Sequence, residues 1–177
     1  MSAPVELYAK LVRLAAPASG APAPERAVAR KKLGDLRKKH PEIPPARAFV
    51  AGSTSGARGA WGVIVLLPEG TISEHKGSLQ PRPELNAAWC ELVAIGAAIS
   101  EWLKTERPDP LVVLAPSWAI STIEGRMAPR DRYRAIVERI RAVLARAKEA
   151  GLEVRFMALG ELHNLAERTA RAALEAA

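Results

Sequence analysis

Arg47-Ala48-Phe49-Val50-Ala51-Gly52-Ser53-Thr54-Ser55-Gly56-Ala57-Arg58-Gly59-Ala60-Trp61-Gly62-Val63-Ile64-Val65-Leu66-Leu67 decides how this chain folds. An apolar run stops, glycines punctuate a turn, and a second apolar run begins. That pattern predicts a β-hairpin with strands over about 47–51 and 60–67. Pro68-Glu69-Gly70 then makes a tight turn. Thr71-Ile72-Ser73-Glu74-His75-Lys76 follows as a short third strand, polar as a sheet edge should be.

Working downstream, Gln80-Pro81-Arg82-Pro83 leads into a helix predicted over about 84–105, where Leu85, Trp89, Leu92, Gly96, Ile99 and Leu103 recur at alternating spacings of four and three. Leu111-Val112-Val113-Leu114-Ala115 is continuously apolar, the mark of a strand covered on both faces. A short helix is expected over 117–124 and a basic helix over 130–150, closed by Gly151. Val154, Phe156 and Ala158 alternate on a last strand, and a final helix is expected over about 162–176. A meander followed by crossover-connected strands makes a mixed α/β sheet of five strands flanked by helices.

Upstream, residues 5–16 and 24–36 carry helical patterns separated by Pro17, Gly20 and Pro22, with Pro24 suited to a first helical turn. Arg30, Lys31, Lys32, Arg37, Lys38, Lys39 and His40 crowd the second helix toward its end, where cations complement the helix dipole. His40-Pro41-Glu42-Ile43-Pro44-Pro45 is a stiff connector. The expected division is a basic helical hairpin and linker over 1–45 and the main domain over 46–177.

Composition bounds the function. At 177 residues, 49% apolar, the chain can bury a sizeable core. No apolar run is long enough to cross a bilayer. The opening residues lack the basic start and apolar core of a signal peptide, so the expected location is cytoplasmic and no membrane partner is expected. Cys90 is the single cysteine, which excludes an internal disulfide framework and a cysteine-rich zinc site. A formal charge of +7 and a pI near 10.0 suit a polyanionic partner, or equally a surface on which arginine is the common cation.

The order of elements over 47–177 resembles that of ribonuclease H type 1. Gly52-Ser53, Gly56, Gly59 and Gly62 look like the family's glycine-punctuated hairpin. Cys90-Glu91-Leu92-Val93-Ala94 looks like its first helix with a metal-binding glutamate. Ala115-Pro116-Ser117 stands where the family has Thr-Asp-Ser, and 154–173 looks like the last strand, flexible loop and last helix. The resemblance implies a two-Mg²⁺ nuclease centre built from four acidic residues. Carried over one at a time, those positions are Ala51, Glu91, Pro116 and Ala170, so Glu91 is the sole matching acid. The expectation is a degenerate centre with no bound metal and no cofactor. Glu124, Glu161 and Glu167 lie near enough to be considered as substitute acids, and His163 as a proton shuttle, although surface, capping and salt-bridge roles are the commoner use of such residues.

Nucleic-acid binding need not vanish with catalysis, because phosphate contacts come from hydroxyls, backbone N–H groups and basic side chains. Ser53, Thr54 and Arg58 offer such groups beside the degenerate centre, and Lys31, Lys32, Lys38 and Lys39 offer them on the hairpin. The helix over 130–150 adds Arg130, Arg132, Arg134, Arg139, Arg141, Arg146 and Lys148, while Trp61 and Trp118 either stack on a ligand or pack in the core. The leading expectation is a nucleic-acid-binding protein of ribonuclease H-like fold without metal-dependent nuclease activity. The alternatives are an active, divergent Mg²⁺-dependent ribonuclease acting on RNA–DNA hybrids, and a protein-interaction subunit.

Overall fold

A computed structural model describes residues 3–15, 19–105, 107, 109–159 and 164–176. Two helices come first, α1 (Ala3–Ala15) and α2 (Ala23–Lys39). The rest follows as β1 (Ala46–Ser55), β2 (Arg58–Leu66), β3 (Ile72–Leu79), α3 (Ala87–Lys104), β4 (Leu111–Ala115), α4 (Ser117–Ile123), α5 (Asp131–Glu149), β5 (Val154–Ala158) and α6 (Glu167–Glu175). The strands form one five-stranded sheet in the order β3-β2-β1-β4-β5. β1 pairs antiparallel with β2 and parallel with β4, so the strand carrying Ala51 is central.

Side chains alternate across a strand, and β1 uses that alternation to hold two cores together. Ala48 and Val50 join Val63, Val65, Leu92, Ile95 and Ile99 on the α3 face. Phe49 and Ala51 join Val112, Leu114, Ala166 and Ala170 on the α6 face. β4 is buried along its whole length, which is why its sequence shows no alternation. Burying each large aliphatic side chain on these faces is worth about 1.5–3 kcal/mol.

The strands run further than the glycine punctuation predicts. β1 continues through Gly52, Ser53 and Thr54 to Ser55, and β3 reaches Leu79. These glycines serve close packing instead. A Cβ on Gly52 would lie 2.4 Å from the backbone N of Glu91, so α3 rests on bare strand backbone. A Cβ on Gly62 would lie 2.6 Å from the backbone N of Ala170, so α6 does the same from the other side. The turn itself needs only Gly56, at φ +57°.

Two helix starts also differ from the sequence expectation. α3 begins at Ala87 because Asn86 caps it, its side chain accepting from the Trp89 N–H at 2.9 Å. α6 begins at Glu167, after a turn in which the Asn164 side chain accepts from the Ala166 N–H at 3.1 Å. Residues 160–163, including Glu161 and His163, lie outside the described residues.

The hairpin has its own small core of Tyr8, Ala15, Ala29, Leu33 and Ile43. It is joined to the sheet by a buried polar knot just before β4. The Asp109 side chain, 0% exposed, accepts from the Tyr8 hydroxyl, from Arg37 Nη1 at 3.1 Å and from Arg107 Nε at 3.0 Å. Arg107 also grips Glu69 through two bonds of 2.8 Å. Burial alone would raise the Glu69 carboxyl, but the hydrogen bonding and charge of Arg107 outweigh it and hold the group below its usual value. Arg37 is thus turned inward, away from the solvated basic face. Among the described residues no helix is long and apolar enough to cross a membrane.

Candidate functional site

Four segments meet where β1 leaves its parallel pairing with β4. Phe49 pairs with Leu114, so the same register carried two residues further brings Pro116 level with Ala51. Ala51 packs in one apolar cluster with Ala166 and Ala170 of the α6 segment. Gly52, the next residue, lies directly against the backbone of Glu91. The fold therefore gathers Ala51, Glu91, Pro116 and Ala170 around one end of the sheet.

The chemistry gathered there is mostly apolar. Ala51 is 4% and Ala170 1% exposed, and Phe49, Val112 and Leu114 complete the cluster around them. Pro116 stands at the N-cap of α4 with φ −58°, offering neither a side-chain ligand nor an N–H. Glu91 is half-buried, and burial raises its carboxyl above the ordinary value. Beside it the Cys90 thiol is buried, and burial pushes it up too, which suits a packing role rather than a nucleophile. Asn164 ties the α6 segment to β1 by donating to the Val50 carbonyl at 2.7 Å.

The other acids are disposed differently. Glu124 is exposed and ion-paired with Arg126. Glu167 is exposed in the first turn of α6, next to buried Ala166. Among the described residues no three His, Cys, Asp or Glu side chains come together in a group that could hold a metal ion.

The candidate phosphate-binding residues fall into separate groups. Ser53 and Thr54 are half-buried near the hairpin tip, with Arg58 exposed across the turn. Lys31, Lys32, Lys38 and Lys39 are all exposed on α2. The end of α2 adjoins the start of β1, whereas Ser53 and Thr54 lie toward its other end. At roughly 3.3 Å per residue, Ser53 and Thr54 stand about 25 Å along β1 from its start.

On α5, Arg141 is occupied, donating to the carbonyls of Ile123 and Thr122 at 2.9 Å each, and Arg134 pairs with Asp131 at 2.6 Å. Trp61 lies flat on β3, where a Cβ on Gly77 would meet its ring at 2.8 Å. Trp118 is half-buried and faces Tyr133, with ring centroids 6.1 Å apart. Sequence spacing had no means of pairing these two rings, which lie on different helices.

This sheet order, with helices on both faces and a site where the central strand meets α3 and α6, defines the ribonuclease H fold. The chain is similar to RNase H1 from the halophilic archaeon Halobacterium salinarum NRC-1, with a TM-score of 0.63 and 19% identity over 75% of this chain and 98% of that one. It is also similar to the N-terminal RNase H domain of rv2228c from Mycobacterium tuberculosis, with a TM-score of 0.62 and 15% identity over 74% of this chain and 94% of that one. A third likeness is to LC11-RNase H1 in complex with an RNA/DNA hybrid, with a TM-score of 0.61 and 14% identity over 74% of this chain and 97% of that one. No protein family and no curated protein matches the chain by sequence.

Proposed function

We propose that this chain binds nucleic acid in the cytoplasm through a ribonuclease H-like domain over 46–177 and a basic hairpin over 1–45, without metal-dependent nuclease activity. The observation that carries the second half of this reading is the apolar cluster of Ala51, Ala166 and Ala170. Two-Mg²⁺ phosphodiester chemistry needs carboxylate oxygens converging on hydrated ions. Methyl groups closed against Phe49, Val112 and Leu114 do not fit that requirement, and Glu91 alone does not supply it. Support for nucleic-acid binding comes from the fold, from a similar protein that is in complex with an RNA/DNA hybrid, and from the exposed cations Arg58, Lys31, Lys32, Lys38 and Lys39.

One observation favours a second reading. Glu167 is exposed and adjoins Ala166, which packs with Ala51, so Glu91 and Glu167 flank the same end of the sheet. A divergent Mg²⁺-dependent ribonuclease would use those two acids.

One preparation tests both. Binding to hybrid, duplex and single-stranded oligonucleotides is measured across a salt series, and hybrid integrity is followed with and without Mg²⁺. The expected result is binding without cleavage, with a log–log salt slope of about −0.9 per phosphate contacted on duplex DNA. Replacing Lys31, Lys32, Lys38 and Lys39 by Gln lowers both the affinity and the slope. Mg²⁺-dependent hybrid cleavage that disappears in Glu91→Gln establishes the second reading. Absence of binding at low salt removes the nucleic-acid reading and leaves a protein-interaction role.

A further inference from the structure

A cleft of about 390 Å³ opens between α4, α5 and the start of α3, lined by Ala88, Trp118, Thr122, Met127, Arg130 and Tyr133. Its interior polar groups already have partners. The Tyr133 hydroxyl donates to Asn86 Oδ1 at 3.2 Å, and the Thr122 hydroxyl donates to the Trp118 carbonyl at 2.8 Å. What remains inside is an aromatic and aliphatic wall. The Trp118 and Tyr133 rings are tilted by 38° at 6.1 Å, too close to admit a third ring between them, so a flat ligand must lie on the open side of the wall.

The rim is cationic. The Arg130 side chain is exposed and its guanidinium has no hydrogen-bond or ion-pair partner among the described residues, and Arg132 stands over the Tyr133 ring at 5.4 Å. Asp131, the nearest acid in the chain, is taken by Arg134. An apolar stacking wall with unpaired guanidinium groups at its mouth matches a flat ring joined to an anion.

The cleft also has a position. Asn86 caps the helix that carries Glu91, and Trp118 lies two residues beyond Pro116. It therefore borders the end of the sheet where Ser53 and Thr54 stand.

We infer that this cleft receives one unpaired nucleobase of a single-stranded nucleic acid, stacked on Trp118, with Arg130 and Arg132 on the adjoining phosphates. The inference rests on the nucleic-acid reading above and adds a preference to it. Stacking without free polar groups in the wall accepts any base, so the preference is for unpaired over paired ends and not for a sequence.

The test uses the full chain and two probes of equal length, fluorescein-labelled oligothymidylate and a blunt duplex, read by anisotropy at one fixed salt concentration. The wild type should bind oligothymidylate, and Trp118→Ala should weaken it by about 5- to 150-fold, the effect of losing one stacked base, while duplex affinity stays unchanged. Ala128→Trp, at an exposed cleft position, should block the site without removing core atoms and have the same selective effect; it decides the matter should Trp118→Ala fail to fold. If both probes bind and neither variant alters single-strand affinity, the cleft proposal is wrong and the broader reading stands. If the wild type binds neither probe, the broader reading falls and takes the cleft proposal with it.

Discussion

Replacing Asp109 by Ala should loosen the basic hairpin from the sheet. The carboxylate is fully buried and serves the Tyr8 hydroxyl and two guanidinium groups at 3.1 and 3.0 Å. Removing it leaves Arg37 and Arg107, only 17% and 12% exposed, without their shared counter-charge. Arg107 keeps its two bonds to Glu69, while Arg37 keeps long contacts of 3.4 Å to the Ile43 and Pro44 carbonyls and its place over the Tyr8 ring at 6.0 Å, none of them a counter-charge. Stranding a buried charge costs about 3–5 kcal/mol, and the orphaned Tyr8 hydroxyl falls within that range rather than adding to it. For a chain of this size a loss of that order lowers Tm by about 6–20 °C. Thermal unfolding at pH 8, with hydrogen exchange resolved over residues 3–45, is the assay. A Tm within about 2 °C of wild type, or hairpin amides exchanging no faster, would refute the reasoning, because stability of a few kcal/mol is a large share of the roughly 5–15 available to such a domain.

Three further outcomes follow from the surroundings of Asp109, Gly52 and Gly34. Burial pushes the Asp109 carboxyl up to about 7, so between about 4 and 7 the folded chain holds a proton that the unfolded chain has released. The group's stabilising contribution is full below about 4 and declines as pH rises through about 7; urea denaturation should therefore show the advantage of wild type over Asp109→Asn shrinking across that window, and an advantage that grows with pH would show the guanidinium groups outweighing burial. Gly52→Ala should destabilise by about 1–3 kcal/mol or more, because its Cβ would meet Glu91 N at 2.4 Å and Cys90 Cβ at 2.6 Å. Gly34→Ala in α2, where nothing lies within 4 Å, should instead stabilise by about 0.5–1 kcal/mol; equal effects in chemical denaturation would sink the packing argument.

Much of the sheet was legible because its signals are local. The apolar run at 111–115 showed a strand covered on both faces, and the hairpin at 47–67 fixed an antiparallel start. Gly52, placed in the turn by its sequence, lies inside β1, since a glycine admitting a helix backbone looks no different in sequence from one admitting a positive φ. Asn86 carried a readable cap signal that the apolar periodicity from Leu85 obscured. The Asp109 knot was illegible for a different reason. Two of its three partners lie 101 and 72 residues away, and Arg37 sits in a basic run indistinguishable from a solvated face. The same distance argument hid the Trp118–Tyr133 wall, whose rings belong to two helices joined by a loop.

The knot at Asp109 also changes what the hairpin is mechanically. A hairpin joined only by a proline-rich connector would swing, and its lysines would find phosphates wherever they lay. Pinned through Tyr8 and Arg37, it holds the basic end of α2 beside the start of β1, with Ser53 and Thr54 about 25 Å further along that strand, as the jaws of a caliper are held. For a ligand gripped at both jaws, that gap sets a minimum length of about seven base pairs, at roughly 3.4 Å per pair. Shorter duplexes reach one jaw only and forgo the gain of a second, intramolecular contact. On the nucleic-acid reading proposed above, the buried carboxylate would thereby set a length preference for molecules it never touches.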